Sequence, residues 1–164
     1  MLSADTVVAV SAVVIAVASL GVSLWQARST RQHNRHSVRP VLQLHLGIHD
    51  GARSGIRLIN VGLGPAVVVR TLVSLDGEVI GRWDRASADT IRTGLTTHLN
   101  AVTFGENEVL AAGYSEYLLS LPTYDASTHE LIKDLLDRRL AVTIYYESLY
   151  GGEGFCVTNL ERGL

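Results

Sequence analysis

AVVVRTLVSL-DG-EVIGRW, residues 66–83, reads as two strands around a tight turn. Ala66–Leu75 is apolar on both faces at Val67, Val68 and Val69, the mark of a strand at the centre of a sheet. Asp76-Gly77 provides the two positive-φ residues of a two-residue hairpin turn. Glu78–Trp83 is the returning strand. An isolated hairpin is at best marginally stable in water, so its neighbours must supply further strands and a core.

They do so on both sides. Upstream, Leu42, Leu44, Leu46 and Ile48 alternate with Gln43, His45 and Gly47, the two-residue period of a half-buried strand. His49–Ser54 is a polar turn, and Gly55–Val61 returns with Ile56 and Leu58 on one face. Asn60–Ala66 (NVGLGPA) then breaks the pattern. Downstream, Asp84–Gly94 has no clear period and reads as a long loop with room for a short helical turn. Thr96–Phe104 and Glu108–Ala111 are weaker strands. Tyr114–Leu121 alternates, with Tyr117, Leu119 and Leu121 opposite Glu116, Leu118 and Ser120.

Ser127 and Glu130 match the S-x-x-E capping box of a helix start. Leu131, Ile132, Leu135 and Leu136 form its apolar stripe. Leu140–Glu147 is a strand with Leu140, Val142, Ile144 and Tyr146 on one face. Gly151–Gly154 turns it, and Phe155–Asn159 returns. Eight or nine short strands with one short helix near the end predict a mainly β fold, an immunoglobulin-like antiparallel β-sandwich.

The N-terminus is of another kind. Thr6–Trp25, TVVAVSAVVIAVASLGVSLW, is twenty residues without a charge. At about 1.5 Å per residue a helix of that length spans the roughly 30 Å hydrocarbon core of a bilayer. Its ten Val, Leu and Ile residues favour insertion by roughly 3–6 kcal/mol in total. A cleaved signal peptide would need a basic stretch before the apolar run, whereas only Asp5 precedes it. Arg28, Arg31, Arg35 and Arg39 follow within about fifteen residues, which predicts the N-terminus outside and the remainder in the cytoplasm. These residues give three segments: a transmembrane anchor over 1–26, a basic juxtamembrane helix or arm over 27–39 ended by Pro40, and a β domain over 40–164.

Charge follows the same division. Of fourteen basic and sixteen acidic residues in the chain, four arginines but only Asp5 precede residue 40, so the rest has an excess of five negative charges. The arginines suit anionic lipid headgroups, and the acidic body argues against nucleic-acid binding. Ala12, Ala16, Ser19 and Ser23, spaced four, three and four, offer a small-residue face for helix–helix contact and homo-oligomerisation.

Signals of chemistry are sparse. Asn60–Pro65 (N-x-G-x-G-P) lacks the lysine and the serine or threonine of a phosphate loop and lies between strands, so a structural turn is the better reading. His33 and His36 have no third metal ligand nearby. Cys156, the single cysteine, reads as a packed thiol. No nucleophile elbow or other catalytic signature is present. Tyr145 and Tyr150 are the best candidates for a partner surface.

Two stretches, His33–Leu42 (HNRHSVRPVL) and Leu58–Ala66 (LINVGLGPA), resemble a recurrent group of small bacterial membrane-anchored proteins of uncharacterised function. The resemblance covers the first half, up to Asp76-Gly77. It implies one N-terminal span and a small β domain, and it brings no catalytic residues. The expectation is a single-pass inner-membrane protein, non-enzymatic and without cofactor, presenting a β-sandwich to a protein partner. The alternative is a ligand-sensing or oligomerising membrane effector in a stress or phage-defence response.

Overall fold

The computed structural model describes residues 4–160, and in the first helix the side chains of residues 4–7, 10 and 31–37 lie outside that description. The chain divides into two compact units, Met1–Ser37 and Val38–Leu164.

The first unit is one helix, α1 (Ala4–Ser37). Its window Ser11–Thr30 is long and apolar enough to cross a membrane. The β-branched valines that weaken a helix in water are compatible with one in lipid, where backbone groups must pair internally. Ser23 Oγ donates to the Ser19 carbonyl at 2.9 Å, so that hydroxyl is satisfied within the helix.

The second unit is mainly β. Its elements are β1 (Leu42–Gly47), β2 (Ser54–Asn60), β3 (Ala66–Leu75), β4 (Glu78–Gly81), α2 (Arg85–Arg92), β5 (Asn100–Ala101), β6 (Val109–Leu110), β7 (Ser115–Leu121), α3 (Glu130–Asp134), a π turn (Leu135–Arg139), β8 (Leu140–Ser148) and β9 (Phe155–Thr158). They form two antiparallel sheets. The first has the order β1-β2-β7-β5, the second β4-β3-β8-β9, with β6 also pairing β3. Ile56, Leu58 and Leu118 of the first sheet join Val68, Val142 and Ile144 of the second in one buried cluster. Each such side chain contributes roughly 1.5–3 kcal/mol by leaving water.

The expected hairpin is present. Asp76 and Gly77 have φ of 54° and 91°. Arg139 Nε and Nη2 clasp Asp76 Oδ1 and Oδ2 at 2.6 and 2.7 Å, tying the turn to the start of β8. That fork holds the Asp76 carboxyl below its usual range.

Asn60–Pro65 is a turn of close backbone packing. The buried Asn60 side chain donates to the carbonyls of Gly64 (2.9 Å), Ala111 (3.1 Å) and Leu110 (3.2 Å). Its Oδ1 accepts from the N–H of Gly62 (3.1 Å) and of Val41 (3.2 Å). A Cβ on Gly64 would lie 1.7 Å from the Val38 carbonyl oxygen, and one on Gly62 2.3 Å from the Val41 nitrogen. Glycine is needed here for close approach.

Several expectations are corrected. Residues 85–92 are a helix, α2, so the domain has two short helices rather than one. Asp84 caps α2 by accepting from Ser87 N at 2.9 Å, and Ser87, Ala88 and Ile91 are buried. The capping box at Ser127 does not form, because Ser127 N and Oγ both donate to Asp125 Oδ1 at 2.8 and 2.6 Å. These two bonds hold the Asp125 carboxyl below its usual range. The α3 helix starts after His129 instead, and Leu131 is left 75% exposed. The stretch 96–104 contains only the two-residue β5. Leu118 to Leu121 are all buried rather than alternating; Leu118, Leu119 and Leu121 join the core, and Ser120 Oγ accepts from Arg53 Nε and Nη2 at 3.2 and 3.1 Å. Cys156 is exposed, not packed. It pairs with Tyr145 on the outward face of the second sheet, while Phe155 and Val157 pack against the core.

Candidate functional site

The second sheet carries a notch beside β3. At one end β3 pairs with β6, Ala66 opposite Leu110 and Val67 opposite Val109. The pairing extends one step, with Val68 N donating to the Glu108 carbonyl and Asn107 N to the Val68 carbonyl, both at 2.9 Å. At the other end β3 pairs with β4 from Val73 onward. Between them, Thr71 Oγ1 accepts from Trp83 N at 2.8 Å.

A bulge sits at the same point. The β3–β8 register shifts between Val68 and Arg70, which makes Val69 the extra residue and resets the strand's phase. Ala66 and Val68 are buried before the bulge, Thr71 and Val73 after it, and both Val69 and Arg70 are exposed. Bulges commonly re-aim a side chain in this way.

The re-aimed side chain is Arg70. Its guanidinium lies 4.3 Å from the centroid of the Tyr145 ring, a contact worth about 0.5–1 kcal/mol at an exposed site. Register places Arg70, Tyr145 and Cys156 in one row across β3, β8 and β9. On the far side of the notch, Arg82 after β4 forms an ion pair with Glu106 before β6.

Together these residues enclose a cleft of about 500 Å³, walled by Val69, Arg70 and Tyr145 and bounded by Arg82, Glu106 and Glu147. A hollow of about 130 Å³ shares Arg70, Arg82 and Glu106 with it and reaches Trp83 and Phe104. The walls are held in place. Trp83 Nε1 donates to the Val102 carbonyl at 2.7 Å. Glu147 Oε2 accepts from Gly152 N at 2.9 Å. Outside the cleft, burial, aided by Glu116 and Glu108, raises the pKa of the Tyr114 hydroxyl above its ordinary value.

Of the residues singled out from sequence, Tyr145 lies in the cleft. Tyr150 sits in the turn after β8, half exposed and not among the cleft residues. Arg39 belongs to the second unit, its guanidinium 4.5 Å from the Phe155 ring centroid. Arg28 is exposed on α1, as are Ala12, Ala16, Ser19 and Ser23, whereas the side chains of Arg31, Arg35, His33 and His36 lie outside the described residues. Among the described residues, no group of three or more His, Cys, Asp or Glu is placed to hold a metal ion. Arg70, Arg82 and Glu106 escaped the sequence reading. The available signal, for Arg70 alone, was a single charge inside the largely apolar VVVRTLV.

An apolar helix of membrane-spanning length joined to a two-sheet β domain with a notched outer face defines the class of this protein. The chain belongs to the family described as a domain of unknown function, DUF8453, whose model matches residues 6–161. No curated protein matches the chain.

Proposed function

We propose that this protein is a single-pass membrane-anchored, non-enzymatic recognition module that binds a protein partner through the notched face of its β domain. The observation that carries the reading is the cleft at the β3 bulge, where Arg70 is turned outward onto Tyr145 at 4.3 Å. Bulges that re-aim a side chain recur beside functional sites.

The domain is read as an immunoglobulin-like sandwich. The orders β1-β2-β7-β5 and β4-β3-β8-β9 correspond to strands A-B-E-D and C′-C-F-G of that fold. Leu42 N of β1 donates to Tyr146 Oη of β8 at 3.2 Å, a bond between the two sheets that supports a face-to-face arrangement. The notched face is then the C′-C-F-G face.

The helix anchors the module in the inner membrane, N-terminus outside and β domain in the cytoplasm, following the arginines after the span. Arg28, Arg31 and Arg35 meet anionic headgroups. The resemblance of His33–Leu42 and Leu58–Ala66 to small bacterial membrane-anchored proteins supports this reading.

A photo-crosslinking residue at Tyr145 of the full chain in native membranes tests the function. Discrete protein adducts are expected from position 145 and not from Leu131 on α3, although Leu131 is the more exposed of the two. Identical adducts from both positions would overturn the proposal. A C-terminal reporter active only outside the cytoplasm would overturn the orientation. A second reading, a ligand-sensing effector that self-associates through Ala12, Ala16, Ser19 and Ser23, draws on the cleft's volume, which lies in the range of small-molecule sites. Thermal stabilisation by a metabolite pool, without adducts at position 145, would favour it.

A further inference from the structure

We propose that the cleft at Val69 selects an acidic segment of its protein partner, with Arg70 taking a single carboxylate. This rests on the recognition reading above and adds the chemistry of what is recognised.

The charges of the cleft differ in whether an opposite charge already pairs with them. Arg82 is paired with Glu106. Glu147 Oε2 accepts from the Gly152 N–H, but its negative charge stays unpaired by any cation among the described residues. Arg70 forms no ion pair with any carboxylate among the described residues. Its guanidinium carbon lies 4.3 Å from the Tyr145 ring centroid. A guanidinium carries five N–H donors in a planar fork, and none of Arg70's is taken by a carboxylate among the described residues, so they can donate to an incoming carboxylate side-on.

The charge of the surroundings narrows the ligand. Two arginines and two glutamates line the cleft. A polyphosphate would meet the carboxylates of Glu106 and Glu147, whereas one carboxylate can reach Arg70 without crowding them. Val69, 46% exposed, and the Tyr145 ring provide apolar surface beside the cation. The fitting ligand is therefore a peptide carrying one acidic side chain between apolar or aromatic neighbours.

The native thiol provides a reporter. Cys156 is the chain's single cysteine, it is exposed, and it is the cross-strand partner of Tyr145. The probes are two blocked tripeptides, acetyl-Phe-Glu-Phe-amide and acetyl-Phe-Gln-Phe-amide, added to the full chain in neutral detergent micelles. The readout is the rate of maleimide alkylation of Cys156.

The glutamate peptide should protect at concentrations about two- to fivefold lower than the glutamine peptide, the gain of an exposed ion pair, and salt should reduce the difference. Arg70→Gln should abolish it, and Arg138→Gln, at an exposed site on the π turn, should leave it. Equal protection by the two peptides, a difference that survives Arg70→Gln, or stronger protection by tripolyphosphate each overturns the proposal. Equal protection that disappears in Tyr145→Ala would sink the carboxylate while leaving the recognition reading standing. No protection by either peptide overturns the carboxylate, and crosslinking at Tyr145 then decides the recognition reading separately.

Discussion

Two interruptions of the β pattern lie a few residues apart, at Asn60–Pro65 and at Val69–Arg70, and they have opposite characters. In the first, the polar side chain is buried and bonded to five backbone groups, and glycines admit the backbone of Val38–Val41. In the second, a residue is inserted, a charged side chain is turned outward, and the neighbouring strands stop short. The first resembles a ligand loop in sequence and is architecture. The second has no motif and is where the cleft opens. The break whose polar groups are all satisfied has none left for a ligand, whereas the break with accessible groups is the one that lines the proposed recognition cleft.

Substitutions can break or sharpen that contrast. The largest loss is expected from Gly64→Ala, because the new Cβ meets the backbone carbonyl of Val38 and no flexible side chain can yield. We expect destabilisation on the order of 3 kcal/mol or more, at the upper end of overpacking effects, measured by urea denaturation in detergent. A loss below about 1 kcal/mol would show that the turn is not close-packed, and the contrast would fail.

Asn60→Ala comes next. It leaves buried carbonyls and N–H groups without partners, each costing about 1–3 kcal/mol, partly offset by water entry; a total of about 2–4 kcal/mol is expected in the same assay. Asn60→Asp, nearly isosteric, sets a carboxylate against three carbonyl oxygens. It should be unstable at neutral pH and recover on acidification.

Arg70→Gln should change stability by less than about 1 kcal/mol, since it removes only an exposed stacking contact, yet it should remove carboxylate selectivity at the cleft. A stability loss matching that of Asn60→Ala would make Arg70 a structural residue like its neighbour.

The smallest effect concerns Asp76 and appears only in acid. Its folded pKa is lowered by Arg139, so the contribution is complete above the unfolded value near 3.8 and is lost as pH falls through the lower folded value. Asp76→Asn should remove that acid dependence and keep the hairpin, because Asn tolerates positive φ. The comparison is of urea midpoints at about pH 6 and about pH 3.

How far each element could be read follows from the range of its determinants. The burial of β8 alternates without a break from Leu140 to Ser148, as its residue pattern implies. The α2 helix was missed because its buried stripe is only Ser87, Ala88 and Ile91, and its start depends on the Asp84 cap rather than on a periodic run. The role of Asn60 depends on partners 19 and 51 residues away in Val41 and Ala111.

The sequence alone determined the apolar helix, the hairpin at Asp76-Gly77 and the alternation of the long strands, because each depends on neighbours within a few residues. The tertiary structure decided the rest. The order of the two sheets, the close packing that makes Gly62 and Gly64 necessary, and the bulge that turns Arg70 onto Tyr145 all arise where distant strands meet. Register between β3 and β8 is set by the pairing of residues about seventy-five positions apart, and no local pattern encodes it.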